Sequence, residues 1–98
     1  MPEPLTDSQI DTGLGNLPGW SRDGNALTKT FRFKHFREAF SFLTRLAFEC
    51  EEQGHHAEIY NVYHTVTLKL STHDAGDRIT QKDLDLAAAI EHFNWLKK

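Results

Sequence analysis

The chain has 98 residues, 39% of them hydrophobic, which is enough for one domain with a buried core and too few for a second. A formal net charge of −3, with acidic and basic residues interspersed, argues against direct binding to nucleic acid. The single cysteine excludes an internal disulfide, no secretory signal is visible, and the apolar runs fall short of the roughly 20 residues of a membrane span. We therefore expect a single domain over residues 1–98 that stays in the cytoplasm.

The first predicted element is a short helix. Thr6 and Gln9 have the spacing of a capping box, in which each side chain accepts a hydrogen bond from the other residue's backbone, so the helix should begin after Thr6. Gly13 and Gly15 should end it soon afterwards. The Asp-Gly step at Gly24 then predicts a hairpin turn between two extended segments.

A half-buried strand and a long helix should come next. Apolar residues fall on alternate positions from Leu27 to Phe33, with Lys29 as the exception, which is typical of a strand with one buried face. From His35 the apolar spacing becomes three to four, which predicts a helix that ends at Gly54. Its core-facing stripe should consist of Phe36, Ala39, Phe40, Leu43, Leu46, Ala47 and Cys50.

The C-terminal half predicts a second hairpin and a third helix. Two strands should cover residues 58–60 and 64–71, joined by the segment 61–63, with Val66, Leu68 and Leu70 on one face. Thr80 and Asp83 then form a second start resembling a capping box. The apolar face of the last helix should contain Leu86, Ala89, Ile90, Phe93 and Leu96, widened by Leu84, Ala88 and Trp95.

This wide apolar face allows two interpretations, a subunit interface or a broad buried stripe in a monomer. In either case the element order is α-β-β-α-β-β-α. Such an order is typical of the α+β class, with a four-stranded antiparallel sheet and three helices packed on one face. The other face of the sheet would be solvated or would pair in an oligomer.

Three of the six histidines, His55, His56 and His73, lie in predicted loops or at strand ends, where proteins often expose functional side chains. Imidazoles titrate near neutral pH and suit general acid–base chemistry. A metal site would need further ligands such as Glu51 or Asp83, but no cysteine pair or HExxH spacing supports one. Nor is Cys50 a promising nucleophile, because it lies on the packed stripe. Ordinary surface or hydrogen-bonding roles are expected for His35, His64 and His92.

At these positions the chain resembles the pterin-4a-carbinolamine dehydratase family. The resemblance consists of Glu51, the pair His55-His56, Tyr63, His73 and Asp83 at their spacings. It extends upstream through residues 30–36 and 39–43 and downstream through residues 84–90. It implies a hydro-lyase that dehydrates 4a-hydroxytetrahydropterin to quinonoid dihydropterin in tetrahydrobiopterin recycling. It also implies a homodimer or homotetramer with a small-molecule pterin substrate and neither metal nor organic cofactor.

The resemblance also assigns residues to the site. His55, His56 and His73 correspond to the three catalytic histidines, Asp83 to a supporting carboxylate and Glu51 to the acidic position ahead of the pair. We expect His55 and His73 to share the acid and base roles, His56 to orient the substrate, and the carboxylates to set tautomer or charge. The backbone segments expected to hold the pterin ring are residues 55–57 and 72–75, which comprise His55, His56, Ala57, Thr72, His73, Asp74 and Ala75.

Three departures from the family pattern affect this site. Ala57 replaces a common proline, Ile59 replaces a common aromatic residue, and the loop from His73 to Asp83 is one residue longer than in many members. Two other functions stay open. By family analogy the domain could act as a dimerisation cofactor of a transcription factor, with a nuclear location, or it could bind pterin without turnover.

Overall fold

The structure, a computed structural model, describes residues 3–94. Its elements confirm the predicted α+β order: α1 (Asp7–Leu14), β1 (Ser21–Asp23), β2 (Ala26–Arg32), α2 (Phe36–Gln53), β3 (Glu58–Val62), β4 (Thr65–Leu70) and α3 (Gln81–His92), with a 3-10 turn at His73–Ala75. The four strands form one antiparallel sheet in the order β1-β2-β4-β3, so β1 and β3 are its edges. None of the helices in this described part of the chain has the length and apolar character that crossing a bilayer requires.

The caps of α1 explain where this helix begins and ends. The Thr6 backbone N–H donates to Gln9 Oε1 at 2.9 Å, and the Gln9 N–H donates to Thr6 Oγ1 at 3.1 Å, as the capping box predicts. Gly15 caps the other end, whereas Gly13 lies inside the helix. A Cβ atom on Gly13 would lie 2.7 Å from Leu84 Cδ1. Gly13 therefore allows α1 and α3 to pack closely, and it does not end the helix.

The buried stripe of α2 differs from the predicted one. Its buried residues are Ala39, Phe42, Leu46 and Cys50. Phe36 and Phe40 are 46% and 52% exposed, and Ala47 is exposed as well, so the prediction was wrong for these three. Apolar residues lie on both sides of this helix, and spacing alone did not indicate which side faces the sheet.

The aromatic core decides which side of α2 is buried. The Phe42 ring lies 4.8 Å from the ring of Phe31 and 5.1 Å from that of Phe33, measured between centroids. Both partners belong to the strand side of the core, next to the fully buried β4 residues Val66, Leu68 and Leu70. The Gly54 cap ends α2 as predicted, with φ +61°.

The second hairpin has a shorter connection than predicted. β3 continues to Val62, which pairs with Thr65, so the turn consists of Tyr63 and His64 and not of residues 61–63. Asn61, which suggested a turn, belongs to the strand. Its side-chain amide donates to the backbone oxygens of Tyr63 at 3.2 Å and Thr65 at 3.0 Å. Asn61 therefore stabilises the turn although it is not part of it.

The third helix buries Leu86, Ala87 and Ile90. Ala89 and Phe93 are half-buried and Ala88 is exposed, so the buried face is narrower than predicted and includes Ala87 instead. The predicted core positions Trp95 and Leu96 lie outside the described residues. Within residues 3–94, the exposed large apolar side chains lie on α2, on β3 and at Tyr63 in the following turn, and not on α3.

A buried polar network joins α3 to the first hairpin. Glu91 Oε2 accepts hydrogen bonds from Trp20 Nε1 at 2.9 Å and from Lys29 Nζ at 2.8 Å, and the Lys29–Glu91 ion pair is largely buried. Burial alone would raise the pKa of Glu91, but the bonds from Lys29, Trp20 and Asn94 outweigh it and lower that pKa below its ordinary value of 4.5. Lys29, the exception in the strand pattern, is thus held by this network.

We expect Glu91→Gln to lower the free energy of unfolding at neutral pH by about 1–2 kcal/mol, because the charged acceptor is lost. The folded-state pKa of Glu91 lies below the unfolded-state value, so its contribution is complete above pH 4.5 and is lost as the pH falls further. Denaturant unfolding of both proteins in steps from pH 7 to pH 3 measures this. The stability difference should shrink below pH 4.5, and a difference that does not change with pH would contradict the assignment.

Candidate functional site

A cavity of about 230 Å³ opens where the end of α2, the end of β4 and the start of α3 meet. All three histidines singled out in the sequence line it. Within the described residues its lining is Gly54, His55, His56, Ser71, Thr72, His73, Asp74 and Lys82. The left-handed cap at Gly54 turns the chain directly after α2, which places the histidine pair opposite the 3-10 turn that carries His73. The fold thus gathers residues that lie far apart in the sequence.

His55 is the buried imidazole of the site and rests on a buried carboxylate. Its Nε2 lies 2.6 Å from Asp83 Oδ1, and the Asp83 side chain is fully buried. The other carboxylate oxygen, Oδ2, accepts from the Thr72 hydroxyl and from the Thr80 backbone N–H, both at 2.9 Å. Asp83 therefore caps α3 and orients His55 at the same time.

The hydroxyl pair beside Asp83 determines the direction of this network. The Thr72 hydroxyl uses its proton toward Asp83, so the 2.7 Å bond between the two threonine oxygens must be donated by Thr80. The Thr72 hydroxyl and the Thr80 backbone N–H thus both donate to an Asp83 carboxylate that only accepts, so His55 must donate to it from a protonated Nε2. In the neutral ring Nδ1 is consequently the unprotonated nitrogen, which is available as a base.

His56 and His73 repeat this arrangement at the exposed rim of the cavity. His56 Nε2 lies 2.6 Å from Glu51 Oε2, and His73 Nδ1 lies 3.1 Å from Asp77 Oδ1. Each ring thus has one nitrogen on a carboxylate, and its other nitrogen makes no hydrogen bond to any residue in the described range 3–94. Three imidazoles with uncommitted nitrogens around one cavity can donate and accept protons at more than one atom of a ligand.

The other predicted site residues take several positions. Thr72 and Asp74 line the cavity, whereas Asp83 and Glu51 lie behind the imidazoles they bind. Ala57 and Ala75 are not among the lining residues, and their contact with substrate stays a prediction. Asp83, whose position the loop after His73 determines, is bonded to His55.

Sequence reasoning missed two charged residues of the site. Asp77 binds His73 at a spacing of four residues, which was visible in the sequence. Lys82 lines the cavity from the first turn of α3. A cation there opposes the helix dipole, and this unusual placement was the available signal.

In the described part of the chain, the candidates for metal ligands and for a nucleophile are the His, Asp and Glu side chains at the cavity and the Cys50 thiol. Among residues 3–94, no group of three His, Cys, Asp or Glu side chains is placed to hold a metal ion. Cys50 is buried, and burial raises the pKa of its thiol, assisted by the charges of Glu49 and Glu51, although a backbone hydrogen bond from Ala57 lowers it. Cys50 is therefore protonated near neutral pH, which supports its predicted role in the core.

The fold and the cavity define a small α+β domain with a histidine-lined pocket. The chain matches the family described as Pterin 4 alpha carbinolamine dehydratase over residues 3–93. It belongs to this pterin-4a-carbinolamine dehydratase family, which confirms the resemblance found in the sequence.

Individual relatives align with nearly the whole chain. A protein from Opitutus terrae with the provisional name pterin-4-alpha-carbinolamine dehydratase is 50% identical over 98% of this chain and 99% of its own length. A protein of the same provisional name from a Roseiflexus strain is 47% identical over 89% of this chain and 92% of its own.

Two solved structures share the fold. A Brucella melitensis protein described as a transcriptional coactivator/pterin dehydratase superposes with a TM-score of 0.86 at 33% identity, and the match covers 91% of this chain and 96% of that one. A pterin dehydratase-like protein described as a RuBisCO assembly factor in the alpha-carboxysome gives a TM-score of 0.60, with coverage of 74% and 83%. At 24% identity, the second likeness concerns the fold alone.

Proposed function

We propose that this protein dehydrates 4a-hydroxytetrahydropterin by histidine general acid–base catalysis and thereby takes part in the recycling of tetrahydrobiopterin. In this reaction the C4a–O bond breaks, the N5–H proton leaves, and a C4a=N5 double bond forms. One proton is delivered to the departing hydroxyl and one is removed from N5, so water and quinonoid dihydropterin are the products. The observation that carries the proposal is the set of three imidazoles, each held by a carboxylate, around one cavity.

The surroundings of each histidine suggest its role. His55 is suited to be the base at N5, because its Nδ1 is unprotonated and the buried Asp83 carboxylate would stabilise the imidazolium that forms. His73, on the rim beside Asp77, would then protonate the leaving hydroxyl. His56, held by Glu51, would orient the pterin ring. The acid and the base thus lie on separate elements, and neither step calls for a cofactor.

Stopped-flow absorbance with chemically prepared 4a-carbinolamine tests the proposal. The purified protein should accelerate formation of the quinonoid product well above the spontaneous rate, in proportion to the concentration of protein. A rate equal to the spontaneous one, from folded protein, would overturn the dehydratase assignment.

A second candidate function is binding of a partner protein without required turnover. It is favoured by the Brucella melitensis neighbour, which is described as both a coactivator and a pterin dehydratase. Comparison of the dehydratase assay with pull-down of a defined transcription factor separates the two functions. Turnover without retention of the factor supports the enzyme alone.

We further propose that a second copy of this chain pairs along β3. This edge strand exposes Ile59, Tyr60 and Val62, the last at 77%. The opposite edge, β1, is only three residues long and contains Ser, Arg and Asp. Short, charged edges resist pairing, whereas an apolar edge with free backbone groups favours it. Phe36, Phe40 and Phe48 expose further apolar surface on α2, and a tetramer would require such a second interface.

Val62→Glu should therefore weaken self-association by at least about tenfold, because it would place a charge in the apolar contact. Sedimentation velocity over a range of concentrations measures the change, with Ser21→Glu on the other edge as the matched control. A Val62→Glu protein that associates as tightly as the wild type, or a wild type that stays monomeric, would contradict pairing through β3.

A further inference from the structure

We propose that Lys82 selects pterins whose side chain carries an anionic group, a carboxylate or a phosphate. This inference rests on the proposed function and extends it to the class of substrate. Lys82 lines the cavity together with the three histidines and Asp74. Within the part of the chain that the structure describes, no other lysine or arginine lines the cavity.

The ammonium group of Lys82 is uncommitted. Each histidine of the cavity already has a carboxylate partner, but the Lys82 side chain has no ion pair or hydrogen bond within residues 3–94. Its acidic neighbours along the helix are also engaged, because Asp83 binds Thr72, Thr80 and His55, and Asp85 accepts from Gln81 at 2.9 Å. The charge is therefore free for a ligand.

The position of Lys82 carries a cost to the helix. It lies in the first turn of α3, where the helix dipole disfavours a cation. Residues that break a local rule in this way are concentrated at functional sites. A ligand that needs the charge would account for a lysine at this point.

The depth of the cavity indicates which part of the ligand Lys82 would meet. His55 is buried at the inner side, whereas Lys82 is exposed, as are His56, His73 and Asp74. A ring that reacts at His55 must enter first, which leaves its substituent near the opening. Asp74 also lines the cavity, but its carboxylate only accepts hydrogen bonds and cannot bind an anion. Lys82 is then the matching charge for an anionic substituent.

Binding of three dihydropterins to the full chain tests this, with a C6 side chain that ends in a hydroxyl, a carboxylate or a phosphate. Lys82→Gln should weaken binding of the two anionic ligands by about tenfold, the size expected for one charge-assisted hydrogen bond, and should change binding of the neutral ligand less than about twofold. Lys82→Arg should retain most of the preference, and added salt should reduce it. Lys34→Gln, an equal change of charge at an exposed site away from the cavity, is the control.

Each outcome separates this inference from the dehydratase proposal. If Lys82→Gln weakens binding of all three ligands equally, Lys82 contacts the ring and the inference is overturned. Unchanged binding of all three ligands would overturn it as well. In both cases, turnover of the neutral carbinolamine would leave the dehydratase proposal intact. If Lys82→Gln weakens binding of only the carboxylate ligand or only the phosphate ligand, that anion is the one that Lys82 selects. Lys82-dependent binding of an anionic pterin without any turnover would support the inference and overturn the dehydratase. Absence of any pterin binding would overturn both.

Discussion

Replacement of His73 by alanine is expected to lower dehydratase turnover by about 10²–10⁴-fold, the usual contribution of one general acid or base. The fold should not change, because the His73 side chain is 92% exposed and its one hydrogen bond is the exposed contact with Asp77. Stopped-flow turnover and thermal unfolding of the same preparation measure both properties. A fully active His73→Ala protein would contradict the assignment of this imidazole.

The buried histidine needs a different substitution. His55→Ala would leave Asp83 with an unfilled acceptor in a fully buried position, and the loss of activity could then reflect instability. In His55→Gln the side-chain amide can still donate to the carboxylate, but no basic nitrogen remains. We expect the same loss of turnover from a protein of near-normal stability. His92→Ala, at an exposed position on α3, is the control and should retain full activity.

Phe42→Ala is expected to lower the free energy of unfolding by about 3–5 kcal/mol, because it removes a fully buried ring from the middle of the core. The ring contacts Phe31 and Phe33 of the strand side, and Phe93 lies 5.6 Å away between centroids. Most of the space it leaves would stay empty, since its neighbours are held by other contacts. Denaturant unfolding measures the loss, and the dependence of the free energy of unfolding on denaturant concentration should be the same as in the wild type.

Phe48→Ala on the same helix is the matched control for this substitution. Its side chain is 70% exposed, so the expected loss is below about 0.5 kcal/mol. If Phe48 contributes to self-association, its effect will depend on protein concentration, whereas the effect of Phe42→Ala will not. Equal losses for the two variants at low concentration would contradict the burial pattern of α2.

Several features of the fold were predictable because they depend on neighbours in the sequence. The capping boxes at Thr6 and Thr80, the Gly54 cap and the Gly24 turn were all predicted, since each is decided within a few residues. The second hairpin turn was predicted at residues 61–63 and lies at Tyr63 and His64, because Asn61 acts on the turn from within β3.

The three histidines, Glu51 and Asp83 of the candidate site were predictable, whereas Asp77, Lys82 and the pairing of each imidazole with its carboxylate were not. The spacing of His55, His56 and His73, together with the family resemblance, indicated all three imidazoles before any coordinates. That Asp83 would hold His55 through a network with Thr72 did not follow from spacing. These contacts join residues on different elements, so they depend on how those elements pack.

The sequence by itself determined the element order, the helix caps, the family and the three candidate histidines, because these follow from short-range patterns and from residue identity. Only the tertiary structure decided which side of α2 is buried, which carboxylate holds each imidazole, and that Lys82 opens onto the same cavity. The physical reason is that the contacts of an apolar or charged side chain depend on which elements the fold places beside it. The sequence of α2 has apolar residues on two sides, and either side could have packed on the sheet. Packing against Phe31 and Phe33 selected the side with Phe42.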